Sequence, residues 1–436
     1  MADQQQILPQ KPHSRRDFLK IAATAMAVAS WPIGGAAPAI GGAVAGGTTE
    51  GIDQALRQAA DAQEVPGVVA MAATDRGIMY EGAFGKRDLA KGPDMTLDTV
   101  FWIASMTKAV TSTAAMQLVE QGKLQLEQPM GTLLPDLAAP QVLEGFDDKG
   151  APRLRPAKRP ITLRHLLTHT AGFAYDVWNA PLGQYMQYAG IPGIITCKNA
   201  ALRVPLVSDP GERWEYGISI DWVGKAVEAV SGQSLDVYFR EHIFTPLGMT
   251  DTSFILTPGQ RSRLVSMHRR KADGALAPEE FEMPQNPEFF MGGGGLYSTA
   301  RDYLAFEQMV LHGGRFNGAQ VLRSETVGLM SQNQIGTLNA GVMKTANPAV
   351  SNDVDFFPGQ DQKWGLSFLI NMQPGPAGRS AGSLAWAGAA NTYFWIDPAK
   401  RVAGVILMQL WPFADTRAVK LYGQFESGVY KALQAA

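Results

Sequence analysis

The chain contains one cysteine, Cys197, among 436 residues. That excludes an intramolecular disulfide and any cysteine metal cluster. Charge of one sign is also lacking. The 38 Lys and Arg face 40 Asp and Glu, a formal net charge of −2. Such a balance carries no electrostatic footprint for nucleic acid. Beyond the N-terminus no apolar run is long enough to span a bilayer, so no membrane span is expected in the mature chain. The composition, 46% hydrophobic and 18% charged, suits one large or two medium globular domains with a sizeable core.

The N-terminus stands apart. Ser14-Arg15-Arg16-Asp17-Phe18-Leu19-Lys20 precedes a mild apolar run from Ile21 to Ile33. Paired arginines before Phe-Leu-Lys and a weakly hydrophobic stretch resemble a twin-arginine export signal. Ala37-Pro38-Ala39 fits a small-x-small cleavage site, and Ala43-Val44-Ala45 is a second candidate. Residues 1–39 are therefore set aside as a signal peptide. The expected partner of the precursor is the twin-arginine machinery, and the expected location is periplasmic or secreted.

The stretch around which the chain is organised is Ser105-Met106-Thr107-Lys108. It follows the apolar run Val100-Phe101-Trp102-Ile103 and opens a helical pattern ending at Gly122. A serine needs a base to become a nucleophile. At i+3 on a helix Lys108 shares a face with Ser105 and can reach its hydroxyl. A helix start also supplies free N–H groups where an oxyanion forms. Ser is equally a preferred N-cap, and Ser-x-x-Lys alone is a weak pattern.

In chain order, 50–64 reads as an amphipathic helix. Val68 to Thr74 and Ile78 to Phe84 read as a hairpin around Asp75-Arg76-Gly77. The basic, proline-rich patch Arg153 to Pro160 reads as a solvated loop. His165 and His169 have the i, i+4 spacing of metal ligands, but no third ligand is evident, and a structural role is expected. A helix is expected over Asp221 to Ser231 with Ser219 as its N-cap. Gly292 to Gly295 lacks the phosphate-loop ending and reads as a tight backbone approach before a helix near Arg301. Residues 333 to 362 read as a long surface loop. Strand-like runs follow at Leu366 to Met372, Ser383 to Ala387, Thr392 to Ile396 and Val402 to Gln409, then a helix from Arg417 to Leu433. Strands at both ends with helices between predict a discontinuous α/β domain, 50–110 with 285–436, and an inserted, mainly helical domain, 111–284.

From about Ile52 to the C-terminus the chain resembles the serine β-lactamase-like superfamily. That group includes class C β-lactamases, D-alanyl-D-alanine carboxypeptidases and family VIII carboxylesterases, and the chain looks most like the esterases. The markers are Phe101 to Lys108, Ile161-Thr162-Leu163-Arg164-His165-Leu166-Leu167-Thr168-His169-Thr170-Ala171-Gly172, Pro210 to Gly224, Pro246-Leu247-Gly248-Met249 and Gly294 to Asp302. The resemblance implies a β-lactamase/transpeptidase-like α/β fold, an antiparallel sheet flanked by helices. It implies Ser105 as nucleophile, Lys108 and Tyr216 as acid and base, and an oxyanion hole of the Ser105 and Ala389 N–H groups. It places Trp386 and Gly388, in Trp386-Ala387-Gly388, where lactamases carry Lys-Thr-Gly, and Ile218 where many relatives carry a substrate-binding asparagine. No metal and no cofactor are implied.

Lys108 and Tyr216, close together and partly desolvated, can share one proton, so that a neutral amine or a phenolate takes the Ser105 proton. Trp386 and Ile218 remove polar contacts that an anionic amide needs, and such losses can cost orders of magnitude. A neutral small-molecule ester is therefore the expected substrate, with β-lactamase or D-Ala-D-Ala carboxypeptidase activity as the alternative. A non-catalytic cell-wall binding protein is a third reading, against which the retained Ser105, Lys108 and Tyr216 argue. Arg379, in the loop before the last strands, is a candidate cation for a substrate carboxylate. Gly378-Arg379-Ser380-Ala381-Gly382 matches a Gly-x-Ser-x-Gly elbow. It lacks a strand leading into it and a later histidine, since the last is His312. Ser380 is read as a loop residue.

The export reading makes a direct prediction. Arg15→Lys with Arg16→Lys should leave an uncleaved precursor in the cytoplasm. Secretion of that double mutant at the wild-type level would contradict it.

Overall fold

A computed structural model describes residues 49–435. The twin-arginine segment and both cleavage candidates lie outside the described residues. The first helix, α1 (Glu50–Asp61), buries Ile52, Leu56, Ala59 and Ala60. A hairpin follows, β1 (Gly67–Thr74) and β2 (Gly77–Gly85). All eight residues of β1 are buried, which marks a central strand covered on both faces. Helix α2 (Thr107–Glu120) begins just after Ser105, and α3 (Ser219–Ser231) just after Tyr216. Helix α4 (Ala300–Leu311) is capped by Thr299, whose side chain accepts the Asp302 N–H at 3.2 Å. The strands β3 (Gln362–Trp364), β4 (Leu369–Asn371), β5 (Leu384–Gly388), β6 (Thr392–Asp397) and β7 (Val402–Leu407) lead to helix α5 (Thr416–Ala435).

One seven-stranded sheet takes the order β3-β4-β5-β6-β7-β1-β2, with every neighbouring pair antiparallel. Its strands come from 67–85 and 362–407; residues 111–284 contribute none. Consecutive strand residues point to opposite faces, and β6 uses both. Phe394 meets Tyr303 of α4 with ring centroids 5.1 Å apart. Trp395 meets Phe425 of α5 at 5.5 Å. Helices α4 and α5 therefore cover opposite faces, and α1 packs beside α5. The Tyr303 hydroxyl donates to the Met106 carbonyl at 2.9 Å, so the face under α4 is the one tied to the Ser105 turn.

Several local expectations are corrected. The strand expected over Leu366 to Met372 starts only at Leu369, because Ser367 has φ of 75°, a left-handed geometry foreign to a strand. Gln362, expected to end the long loop, instead opens β3 with the two residues after it. The patch Arg153 to Pro160 is not simply solvated. Residues 152–156 pair with 141–146 as a hairpin, and Arg155 grips the buried Asp209 carboxylate through two N–H groups at 2.9 and 2.7 Å. Ser219 is not an N-cap. The Asp221 N–H bonds the Ile218 carbonyl at 3.0 Å, so Ile218 is the cap residue, and the buried Ser219 hydroxyl has no partner.

Arg379 is the correction with the widest consequence. Its side chain is 3% exposed and bonds both Glu426 oxygens, at 3.1 and 2.5 Å, and the Tyr422 hydroxyl at 2.5 Å. Both partners lie on α5, on the far face of the sheet. This cation is committed to the fold and is not available to a substrate. Removing one member of a buried ion pair costs about 3–5 kcal/mol. Arg379→Met should lower the thermal midpoint accordingly and leave KM for an ester unchanged in the folded fraction. A wild-type midpoint, or a raised KM, would contradict this placement.

Candidate active site

The site is built where the chain turns sharply before α2. Phe101 and Trp102 pair with Tyr297 and Ser298. Ala104 then takes φ of 45°, a left-handed geometry that costs a residue with a Cβ roughly 1–2 kcal/mol. A single 3₁₀ turn, Ala104–Met106, runs into α2. Ser105 is half-buried, and Lys108, one turn on, is wholly buried. Lys108 Nζ lies 3.1 Å from Ser105 Oγ, as the i, i+3 spacing requires. It also lies 3.1 Å from the Tyr175 hydroxyl and 2.6 Å from the Gly293 carbonyl oxygen.

These partners fix the amine. The Gly293 carbonyl can only accept, so one N–H points there, and the Tyr175 hydroxyl takes a second. A neutral amine then keeps its lone pair for Ser105. Burial favours that form by pushing the Lys108 pKa below the usual lysine range, against the attraction of Asp221. Tyr216 is shifted the other way. Burial raises its pKa, while its hydrogen-bonding neighbours Ser105 and Trp386 pull it back. Two titratable groups pushed in opposite directions take opposite roles. The arrangement suits Lys108 to the part of a base and Tyr216 to that of an acid. Of the two species allowed by the sequence, a neutral lysine is thus favoured over a phenolate. Nor do the two groups meet head to head: the amine sits over the Tyr216 ring, 4.7 Å from its centroid.

The glycine run supports this geometry. Gly292, Gly293 and Gly294 turn their carbonyls to Thr111 Oγ1 at 2.6 Å, Lys108 Nζ at 2.6 Å and Trp102 Nε1 at 2.7 Å. The Gly293 N–H donates to Asp221 Oδ1 at 2.8 Å. A Cβ on Gly293 would lie 2.6 Å from Asp221 Oδ2, so only glycine fits between Lys108 and Asp221. On the other flank β5 ends against the turn. A Cβ on Gly388 would meet the Ile103 carbonyl oxygen at 2.3 Å. Ala389, next in the β5–β6 turn, has an N–H with no acceptor among the described residues.

Trp386 on β5 donates its indole N–H to the Tyr216 hydroxyl at 3.0 Å. That donor is therefore spent on Tyr216 and is not free for a substrate. The ring packs against Tyr216, Trp364 and Phe356, at 4.9, 4.6 and 5.5 Å. Trp178 and Trp214 close the remaining sides of Tyr216, at 5.5 and 6.1 Å. Ile218 is buried at the start of α3. Phe356 comes from the long loop, which is stitched to the site where the Ala346 N–H bonds the Val177 carbonyl at 2.7 Å.

The histidines go elsewhere. His165 Nδ1 accepts the Thr162 N–H at 3.2 Å and closes a capping box. His169 is buried against the Tyr216 ring at 4.8 Å, and burial, then Lys108, push its pKa well down. Among the described residues no three His, Cys, Asp or Glu gather as a metal site. Ser380 donates its N–H to Asp397 Oδ2, which also takes the hydroxyl of Tyr430 on α5. It thus lies on the α5 side of the sheet, away from Ser105. The sequence reading missed Tyr175, Asp221 and the Gly293 carbonyl. Only Asp221 carried a signal, a charge inside the apolar run Ile220-Asp221-Trp222-Val223.

The beta-lactamase family model matches residues 52–428. The chain belongs to the beta-lactamase family. Within it, the chain is 34% identical over 404 residues to a monacolin J acid methylbutanoyltransferase of Aspergillus terreus, covering 88% of this chain and 96% of that one. It is 30% identical over 403 residues to a lovastatin esterase of Penicillium rubens, covering 88% and 99%. Among solved structures, the unliganded simvastatin synthase of Aspergillus terreus superposes with a TM-score of 0.78 at 31% identity, over 90% of this chain and all of that one. The chain is thus a serine enzyme of this family, of the hydrolase and acyltransferase kind, and the lactamase/transpeptidase-like fold expected from its motifs is the fold it has.

The buried amine predicts a pH dependence. Below its pKa Lys108 is protonated and cannot take the Ser105 proton; above it the amine is free. Because that pKa is lowered, fluorophosphonate labelling of Ser105 should switch on with rising pH well below the ordinary lysine value of about 10.4. A labelling rate still climbing at that value would contradict the burial argument.

Proposed function

We propose that this protein is a serine esterase that forms an acyl-enzyme through Ser105 and passes the acyl group to water or to an alcohol. The neutral amine of Lys108 takes the Ser105 proton as Oγ bonds the acyl carbon. The developing oxyanion is received by the N–H groups of Ser105 and Ala389. Tyr216 gives its proton to the departing alkoxide. In the second half Tyr216 takes a proton from water or an alcohol, which attacks the acyl carbon, and Lys108 returns its proton to Ser105. Both groups end as they began. The observation that carries this reading is the buried Lys108 amine 3.1 Å from Ser105 Oγ, with its other neighbours oriented to leave a lone pair there.

The choice of a neutral ester rests on the surroundings. Trp386 stands where a lactamase has a cation, its donor is bound to Tyr216, and Arg379 is held by α5. An unpaired buried carboxylate is costly. This argues against penicillins and D-Ala-D-Ala peptides, the alternative substrates of the same machinery. Acyl transfer is included because the family relatives named above are a methylbutanoyltransferase and an esterase. Export by the twin-arginine route, to the periplasm or medium, belongs to the proposal on the strength of Arg15-Arg16 and the run after it.

Ser105→Ala should abolish turnover, and Lys108→Met and Tyr216→Phe should each cost at least about a hundredfold. For the wild type, kcat/KM on a short-chain p-nitrophenyl ester should far exceed that on a chromogenic cephalosporin. A cephalosporin value equal to or above the ester value would replace the esterase reading with a lactamase one.

A further inference from the structure

Asp221 has no place in the steps above, yet it is wholly buried beside them. It sits in the first turn of α3, between Ile220 and Trp222. One oxygen, Oδ1, accepts the Gly293 N–H at 2.8 Å, and the other, Oδ2, has no hydrogen-bond partner. A buried carboxylate left half-unsatisfied is expensive unless a charge compensates it. The group that becomes a cation beside it, on taking the Ser105 proton, is Lys108, also wholly buried, and no direct ion pair joins the two. They meet instead through one peptide unit. The Gly293 carbonyl receives Lys108 Nζ at 2.6 Å, and the Gly293 N–H points to Asp221. A peptide held between a cation at its oxygen and an anion at its N–H is polarised in the sense that favours both charges.

We propose that Asp221 is a positioning residue, the third member of a Ser105–Lys108–Asp221 relay that acts through the Gly293 peptide and stabilises the ammonium formed when Ser105 is acylated. The inference rests on the Ser105 acyl-enzyme reading above. The step it assists is balanced within that reading. The Ser105 O–H bond breaks, an N–H bond forms on Lys108, and Oγ bonds the acyl carbon as the carbonyl π pair moves onto its oxygen. Burial raises the Asp221 pKa to about 6, against the attraction of Lys108 and the Gly293 N–H, so above that pH the carboxylate keeps its charge through the step. The logic parallels the aspartate of a serine–histidine–aspartate triad, which stabilises the cation formed on the base without taking its proton. Here the base is a primary amine without a ring to orient. Its direction comes from the Gly293 carbonyl, and the carboxylate reaches it through the bond behind that carbonyl.

The other titratable groups facing this pair do not replace Asp221. Tyr175, from the segment after Gly172, Tyr216, from the turn before α3, and Cys197 all have pKa values raised by burial and then by the Asp221 charge among the causes. His169 is held neutral by burial and by Lys108. Burial lowers the Lys108 pKa, and the Asp221 charge raises it. Removing the Asp221 charge must therefore lower it further.

The test is Asp221→Asn, which keeps an acceptor for the Gly293 N–H and removes the charge. Fluorophosphonate labelling of Ser105 and kcat/KM on a neutral ester are followed against pH. The acid limb of both profiles should move down by about one unit or more. The plateau rate should fall about tenfold or more, with KM little changed. Asp221→Ser, shorter and equally neutral, should move the limb in the same direction, so either folded variant decides. A merely structural aspartate would change the thermal midpoint and leave the limb in place, and an unmoved limb in a folded variant overturns the proposal. If the wild type itself takes no label at Ser105, the acyl-enzyme reading fails instead. The two failures are thereby distinct.

Discussion

The structure depends on keeping one amine out of water. Lys108 is a good base only while it is desolvated, and a desolvated lysine needs every hydrogen accounted for. Thr111 and Trp102, each bound to a neighbouring glycine carbonyl, lock the run 292–294 against α2 and the turn before it. The run can approach so closely because it has no side chains. Helix α4 then secures the same turn from below through Tyr303 and Met106. The strain at Ala104 is a local cost of aiming Ser105 out of this dry interior while Lys108 stays inside it.

The sheet contributes position more than chemistry. Its strand β5 ends at Gly388, pressed on the Ile103 carbonyl, and is followed by the Ala389 N–H, which has no acceptor among the described residues. Two residues earlier the same strand presents Trp386, which anchors the Tyr216 hydroxyl. Burial within the aromatic wall pushes the Tyr216 pKa up. Arg379, the other cation considered for this site, is held by α5 instead.

Much of this was legible in the sequence. Ser105 and Lys108 are joined by helix spacing, a local relation that survives without knowing the fold. The glycine run was legible as a close approach, but its partner was not, because Lys108 precedes it by 185 residues and only tertiary structure brings them together. Tyr175 carries no local mark at all. Asp221 was hidden by the family likeness, which drew attention to Tyr216 and Ile218 just before it. Arg379 was misread for a different reason: a loop arginine looks free until the helix that neutralises it, 47 residues later, is placed. Ser219 failed as a cap because a backbone carbonyl had already started the helix.

The central claim is a covalent one: during turnover the acyl group rests on Ser105, activated by a buried amine. Rapid acid quench of the enzyme with a p-nitrophenyl ester, followed by peptide mass spectrometry, reads it directly. The account predicts the acyl mass on the peptide that carries Ser105, formed within the burst of p-nitrophenol release. The acyl mass on the peptide that carries Ser380, or a burst with unmodified Ser105, would contradict it.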